Sequence, residues 1–312
     1  PEHQGAVERR GGLDAAGQGI WRGWTHTILN PWYVGLVVLL VVLEHRFAAE
    51  RGAGVLTVGG ANDFVWLLAY PFTGATIVAL WLAAVNAIFF DGFSGTVIDL
   101  PEYVTLPVAV VIAFLVGDFL NWFTHYVRHN VPTFWYFHAV HHSQPQMGVF
   151  TDFRVHFMET VIAATLVFVP TQLLGIEGRI GVVLAFSTLY FTAFTHANLR
   201  TNLGPLRWVL VSPQFHRAHH GYAPEFIDVN FGTALSVWDR MFKTAYTRDE
   251  DEYCETGIAD PDFPLTRDGS ASEVVGSYVR QNVYPFKQCV EDFKTFELGR
   301  GRPADESEST SA

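Results

Sequence analysis

Two groups of histidine dominate the chemistry available to this chain. His138, His141 and His142 lie in TFWYFHAVHHSQPQ, and His216, His219 and His220 in SPQFHRAHH, each triplet at positions i, i+3 and i+4. Residues three and four apart share one face of a helix, so each triplet offers its imidazoles together. His125 and His129, four apart, precede them and bring the count to eight rings on three short stretches. One imidazole-bound ion takes three or four nitrogens, so eight to ten converging rings suggest two ions. A lone histidine is ordinarily a satisfied core or interface residue, and His3, His26 and His45 read that way. Two triplets of identical spacing among only 13 histidines do not arise readily by chance. His196, in FTAFTHANLR, closes an apolar segment and reads as a further ligand; His156, in FRVHFMET, reads as a ligand or as a supporting residue.

Imidazole suits iron, zinc, copper or nickel, so ligand type alone does not name the metal. The sequence holds neither the paired Glu-x-x-His motifs of soluble di-iron carboxylate proteins nor the H-E-x-x-H of zinc proteases. Asp118, two turns before His125, is placed to accept a ring N–H and fix its tautomer. Asn198 is a candidate to hold a metal-bound water, and Arg128 and Arg154 are expected to meet lipid phosphate or a carboxylate such as Asp152 or Asp239. Trp122, Phe123, Trp135, Phe137, Phe150 and Phe153 are candidates for an apolar channel or an interfacial aromatic belt. A metal pair in such surroundings suits O₂ chemistry on an apolar substrate better than hydrolysis.

The elements that must position these rings are apolar. Of the 312 residues 49% are hydrophobic and 16% charged, and 26 are Phe, a balance that fits a membrane protein. Apolar runs cover 31–47, 64–90, 103–123, 157–175 and 180–195. Two of them reach the roughly 20 residues a helix needs to cross a bilayer, so about four crossings are expected, with one segment interfacial or re-entrant. DFLNWFTHYVRH has no helix breaker before Pro132, which puts His125 and His129 at the end of a membrane helix; GPLRW, with Gly204 and Pro205, reads as a turn. An apolar hairpin separates the triplets, so both can face the same aqueous side. Residues 1–27 carry Arg9, Arg10 and Arg22 with no secretory h-region, and are expected to be flexible and cytoplasmic. Residues 28–246 are expected to form the membrane-embedded domain and 247–312 an acidic polar tail, solvated or docking a basic redox partner. The net charge of −11 leaves no basic face for phosphates, which argues against nucleic acid as a partner. Cys254 and Cys289 make neither a disulfide framework nor a zinc motif.

The order HYVRH, FHAVHH, FRVHF, FTHANLR, SPQFHRAHH and NFGTALSVWDRMFKTAY resembles the fatty acid hydroxylase and sterol desaturase superfamily over roughly residues 100 to 246. The resemblance implies an all-α integral membrane bundle of about four transmembrane helices, multi-pass, with a cytosolic helical cap holding a histidine-ligated di-metal site. It implies two iron ions, with zinc as a conceivable substitute, and O₂-dependent hydroxylation or desaturation of a sterol, carotenoid, fatty acyl chain or other lipid. Carried over residue by residue, the ligands fall on the eight box histidines, with His196 as the isolated one. The chain departs from the family pattern at Tyr126, at Phe157 where many members have proline, and at Arg200 where some lipid hydroxylases have a second histidine. The last departure makes His156 the expected compensating ligand.

The sequence has no H-P-G-G haem element, no cysteine cluster and no dinucleotide-binding glycine loop. A separate electron donor is therefore expected, a ferredoxin or a cytochrome b5-like protein with its reductase. Two other readings of the histidines are a membrane metal-binding or transport protein and a dizinc hydrolase. Transport would place ionisable groups within the crossings, which hold little but Glu44 and Asp118, and hydrolysis would call for acidic ligands and a general base.

Overall fold

The computed structural model describes residues 28–85, 87, 103–174, 188–246 and 253–297. The expected N-terminal segment 1–27, part of the run 180–195 and the ends of the acidic segment lie outside them. Helix α1 spans Pro31–Phe47. Helix α2, Val58–Ala69, continues through a π-helical turn, Pro71–Ala75, into α3, Thr76–Val85. Then come α4, Leu106–Asn130, α5, Pro132–His142, and α6, Phe157–Leu173. Residues 188–196 form α7, Pro213–His219 α8, Val237–Phe242 α9 and Ala271–Glu297 α10. Among the described residues there are no strands, only isolated bridges such as Ala48 with Leu199 and Leu210 with Leu235. The all-α expectation therefore holds.

Local sequence sets these boundaries. Asn30 caps α1 by accepting from Trp32 N at 2.9 Å, ahead of Pro31 at the first position. Ser212 caps α8 in the same way, accepting from Phe215 N at 3.1 Å ahead of Pro213. Pro132 disfavours helix at Val131, which is extended (φ −105°, ψ 112°), so the chain bends between α4 and α5. Ala109, Ala113 and Gly117 line the buried side of α4.

The stretches Val58–Val85 and Leu106–Asn130 are long and apolar enough to cross a membrane, and Phe157–Thr171 is a shorter apolar helix. Their exposed residues include Leu68, Leu80, Val108, Val111 and Leu115. His125 and His129 ride the last turns of α4, as its unbroken apolar pattern led one to expect. Residues 247–312 are not merely a solvated tail, because their described part contains the 27-residue α10, packed on α2 and α5.

A buried polar layer joins the apolar helices to the histidine region. Glu44 of α1 accepts from Val149 N at 2.7 Å and from Asn198 N at 2.8 Å. Arg154 reaches Asp63 at 3.1 Å, Ser143 Oγ at 3.0 Å and the Val140 carbonyl at 2.9 Å, and also donates to Asn62. Arg154 therefore meets a carboxylate, as expected from sequence, but that carboxylate is Asp63 and not Asp152 or Asp239. A buried guanidinium must have its donors filled, and a helix-borne aspartate on α2 fills them where an exposed phosphate has no access.

Candidate metal centre

The structure brings nine imidazoles together. His125, His129, His138, His142 and His219 form one group and His141, His196, His216 and His220 a second, the ligand atoms of each lying within 4.8 Å of one another. The triplets are shared between the groups. From α5, His138 and His142 go to the first and His141 to the second; from α8, His219 goes to the first, while His216 and the capping His220 go to the second. The groups adjoin, with the rings of His142 and His220 stacked at 4.4 Å.

Within each group the Nε2 atoms converge. In the first, His125 and His138 are 3.0 Å apart, His138 and His142 3.1 Å, and His129 and His142 3.2 Å. In the second, His196 lies 3.1 Å from His141 and 3.0 Å from His216, and His216 lies 3.2 Å from His220. Nitrogens held at about 2.1 Å from one ion are about 3.0 Å apart when their bonds meet at a right angle and about 3.4 Å in a tetrahedron.

The opposite edges of the rings show which nitrogens carry hydrogen. His125 Nδ1 donates to the Phe231 carbonyl at 2.9 Å, His129 Nδ1 to Asp228 at 3.1 Å, and His138 Nδ1 to Glu159 at 2.8 Å. His219 Nδ1 donates to the Val229 carbonyl at 2.7 Å and His196 Nδ1 to the Thr192 carbonyl at 2.8 Å, with Asp152 3.5 Å away. A neutral imidazole carrying its hydrogen on Nδ1 presents a lone pair at Nε2. Burial, reinforced by neighbouring imidazoles and Arg128, holds His138, His141 and His219 well below the usual imidazole range. Burial and imidazole neighbours alone do the same for His142, His216 and His220. These rings are neutral at neutral pH, the form that binds metal. Lone pairs aimed at each other across about 3 Å repel, and the buried His219 Nε2 has no hydrogen-bond partner at all. A cation within each group answers both conditions, so the donor set fits metal.

Two aspartates fix the loop that orients three of the first-group rings. Asp239 of α9 accepts from Phe231 N at 2.8 Å, Gly232 N at 2.7 Å, Thr244 Oγ1 at 2.6 Å and Trp122 Nε1 at 3.0 Å. Asp118 of α4 accepts from Ala234 N at 3.0 Å, Leu235 N at 3.1 Å and Trp238 Nε1 at 2.9 Å. Asp118 therefore does not receive a hydrogen from His125, as the two-turn spacing suggested. Its carboxylate instead holds the backbone that supplies the Phe231 carbonyl. A side chain at Gly232 would put Cβ 2.8 Å from Asp239 Oδ2, so the close approach requires glycine. Asp228 and Asn230 take positive φ, 57° and 58°, a conformation that short polar side chains tolerate.

His156 is not brought to either group. Its Nε2 donates to the Asn282 carbonyl at 3.0 Å and its Nδ1 accepts from Met158 N at 3.1 Å, which leaves no lone pair for a metal. Burial lowers its pKa to about 4. It ties the start of α6 to α10. Asn198 is likewise engaged, accepting from Glu50 N at 3.1 Å and donating to the Glu50 carbonyl at 2.9 Å, which turns its carboxamide to the backbone after α1. Arg200 lies over the Tyr253 ring, its guanidinium carbon 4.5 Å from the centroid. Arg128 does meet a carboxylate, Glu159, which it shares with His138. Glu159, Asp228 and Asp152 carry no motif that marks them as partners of the rings; position alone reveals them. Of the aromatic candidates, Trp122 and Phe137 are buried and Trp135 packs on His129, with ring centroids 4.9 Å apart. A cavity of about 400 Å³ reaches the first group at His129, His142 and His219, between Trp135, Tyr222 and Ile258.

Comparison with known proteins agrees with this geometry. Residues 110–244, which hold all nine converging histidines, match the fatty acid hydroxylase model. The resemblance to the fatty acid hydroxylase family is thereby shown over these residues. An ornithine lipid hydroxylase of Rhizobium tropici is 27% identical over 158 residues, 51% of this chain and 48% of that protein. Alkylglycerol monooxygenase of Xenopus tropicalis is 35% identical over 133 residues, 43% of this chain and 29% of that protein. The human alkylglycerol monooxygenase is 32% identical over 138 residues, 44% of this chain and 31% of that protein. The chain thus spans less than half the length of these relatives. No solved structure matches it. By name these relatives are a lipid hydroxylase and alkylglycerol monooxygenases.

Proposed function

We propose that the protein is a membrane-embedded di-iron hydroxylase that inserts one oxygen atom from O₂ into an unactivated C–H bond of a lipid. The observation that carries this reading is the convergence of neutral Nε2 lone pairs, five in one group and four in the other, in a domain whose relatives are lipid hydroxylases. His125, His129, His138, His142 and His219 would hold one iron, and His141, His196, His216 and His220 the other. Two irons there would supply the reduction of O₂ and the abstraction of hydrogen from carbon, with electrons from a separate ferredoxin or cytochrome b5-like donor.

This chain's residues do the positioning. Glu159, Asp228 and the Phe231 and Val229 carbonyls hold the Nδ1 hydrogens, which aims Nε2 inward without any rearrangement on metal binding. The cavity beside Trp135 and Tyr222 gives the first group its access, and its apolar wall keeps water scarce around an alkyl chain. The apolar helices are read as crossing the bilayer, about four times in the complete bundle, with the histidines at their cytoplasmic end. The names of the relatives favour hydroxylation over desaturation and a lipid carrying a polar head over a sterol or carotenoid.

The test is lipid profiling of a host expressing the chain, against a His141→Ala control, with iron measured on the purified protein. A lipid that gains the mass of one oxygen only with the unaltered chain is expected, together with two irons per chain. A product formed equally by His141→Ala would remove the catalytic reading, and loss of two hydrogens without gain of oxygen would make the enzyme a desaturase.

A further inference from the structure

Helix α10 lies outside the fatty acid hydroxylase domain and has two unlike faces. One face is tied to the rest of the protein. Ser277 accepts from Asn62 at 3.0 Å, Gln281 from Trp66 Nε1 at 3.2 Å, and the Asn282 carbonyl from His156 at 3.0 Å, while Tyr284 is buried. The opposite face carries Val275, Val279, Val283, Phe286, Val290 and Phe293, each 41% to 61% exposed. At about 100° per residue these six fall within about 80° of the helix circumference, a continuous apolar stripe. Along one edge of it run Arg280, Lys287 and Lys294, seven residues apart and exposed.

We infer that α10 lies in the plane of the membrane surface, with this stripe against the acyl chains and Arg280, Lys287 and Lys294 at the level of the lipid phosphates. The inference rests on the membrane reading given above. Two observations select lipid as the occupant. First, the stripe joins the apolar surface of the spanning helices. Phe286 packs against Phe157, the first residue of α6, with ring centroids 6.0 Å apart, and against Phe137 at 5.4 Å. Helix α10 therefore sits where α6 leaves the histidine layer. Second, the charges suit a phosphate layer and not another copy of the helix. In an antiparallel pair the edge would meet itself, three cations against three, with Glu273 already paired to Arg280 and Glu291 the one further carboxylate beside it. In a parallel pair it would meet the opposite edge, where Tyr278, Asn282 and Cys289 offer no carboxylate. An apolar stripe bordered by Lys and Arg is the pattern of helices that rest in an interface.

Spin-label accessibility on the full-length, metal-loaded chain in nanodiscs of phosphatidylcholine and phosphatidylglycerol tests this. Cys289→Ser removes the more accessible native thiol, since Cys254 is buried. In that background Val279→Cys, Val283→Cys and Val290→Cys are labelled singly, with Val111→Cys in α4 as the reference inside the bilayer and Glu291→Cys as the reference in water. The three stripe labels are expected to collide with O₂ several-fold more often than with a water-soluble nickel chelate, as at Val111, and the order reverses at Glu291. Stripe labels as accessible to nickel as Glu291, with Val111 still protected, would overturn the inference alone. Nickel access at Val111 as well would overturn the membrane reading beneath it. Strong coupling between labels at Val283 that vanishes at one chain per disc would show a second copy on the stripe, and would also overturn it.

Discussion

Replacing Glu159 by glutamine should empty one metal position and spare the other. Glu159 is buried, accepts the Nδ1 hydrogen of His138 at 2.8 Å and pairs with Arg128. Glutamine keeps the shape and one acceptor but removes the charge that makes His138 a better donor to metal. Loss of such an outer partner lowers metal affinity about 10- to 100-fold, or roughly 1.4 to 2.8 kcal/mol. The cost falls on the group of His125, His129, His138, His142 and His219, since the members of the other group make no hydrogen bond to Glu159. Stability should fall by about 2 kcal/mol from the weakened charge-assisted bonds, too little to unfold a domain of this size. The assay is iron retained per chain against a graded chelator series, with circular dichroism to confirm folding. One of two equivalents should leave at about 10- to 100-fold lower chelator, while the second follows the unaltered curve. If both equivalents shifted together, or neither moved, the assignment of separate ligand sets would be wrong.

His156→Gln should retain both irons and full turnover once folded, at a cost of about 1 to 3 kcal/mol for the broken link between α6 and α10, read by thermal unfolding; loss of an iron would make it a ligand after all. His141→Ala should lose iron from the second group and all product, read by metal analysis and lipid mass. Asp239→Ala removes the acceptor of four hydrogen bonds, so the loop carrying Phe231 loosens; a loss of about 3 to 5 kcal/mol and a lowered first-group affinity are expected in unfolding and chelator assays. For pH, burial depresses the folded pKa of His138, His142, His216 and His220 below the unfolded value near 6.5. As pH falls through about 6.5 the unfolded chain takes up protons that the folded chain refuses, so stability and metal retention fall together, and both are flat above about 7.5. Retention that rose on acidification would contradict that sign.

The converging histidines were legible in the sequence, but not what aims them. Histidine spacing carries its own meaning because side chains three and four apart on a helix must be neighbours, and α5 and α8 form where Pro132 and the Ser212–Pro213 cap start them. His196 could be picked out because it ends an apolar segment. Glu159, Asp228 and Asp239 act across 21, 99 and 117 residues of chain, on His138, His129 and Trp122, and no local pattern signals a contact at that separation. The same limit explains Asp118 and His156. Each lies at a spacing or in a motif that suits a role near the metal, and each is claimed by a distant backbone group instead: Asp118 by the amides of Ala234 and Leu235, His156 by the Asn282 carbonyl. Helix α10 was hidden for another reason. Its acidic flanks set the average composition of residues 247–312, and an average erases the stripe along one side of a helix.

Each triplet of histidines at i, i+3 and i+4 is shared between the two groups, where a pair would serve one. Residues four apart are offset by about 40° around a helix and residues three apart by about 60° in the opposite sense. His138 and His142 thus lean to one side of α5 and His141 to the other; on α8, His216 and His220 share a side and His219 takes the opposite one. Set facing each other, the two helices give each group both partners of one triplet and the single member of the other. His125 and His129 then complete one group and His196 the second. The adjacent residues His141 and His142, like His219 and His220, straddle the boundary, so neither group can move relative to the other without unwinding a helix. The spacing of the two ligand groups is thereby set by helical geometry, and a chain reading His-x-x-His without the following histidine would leave each group one ring poorer.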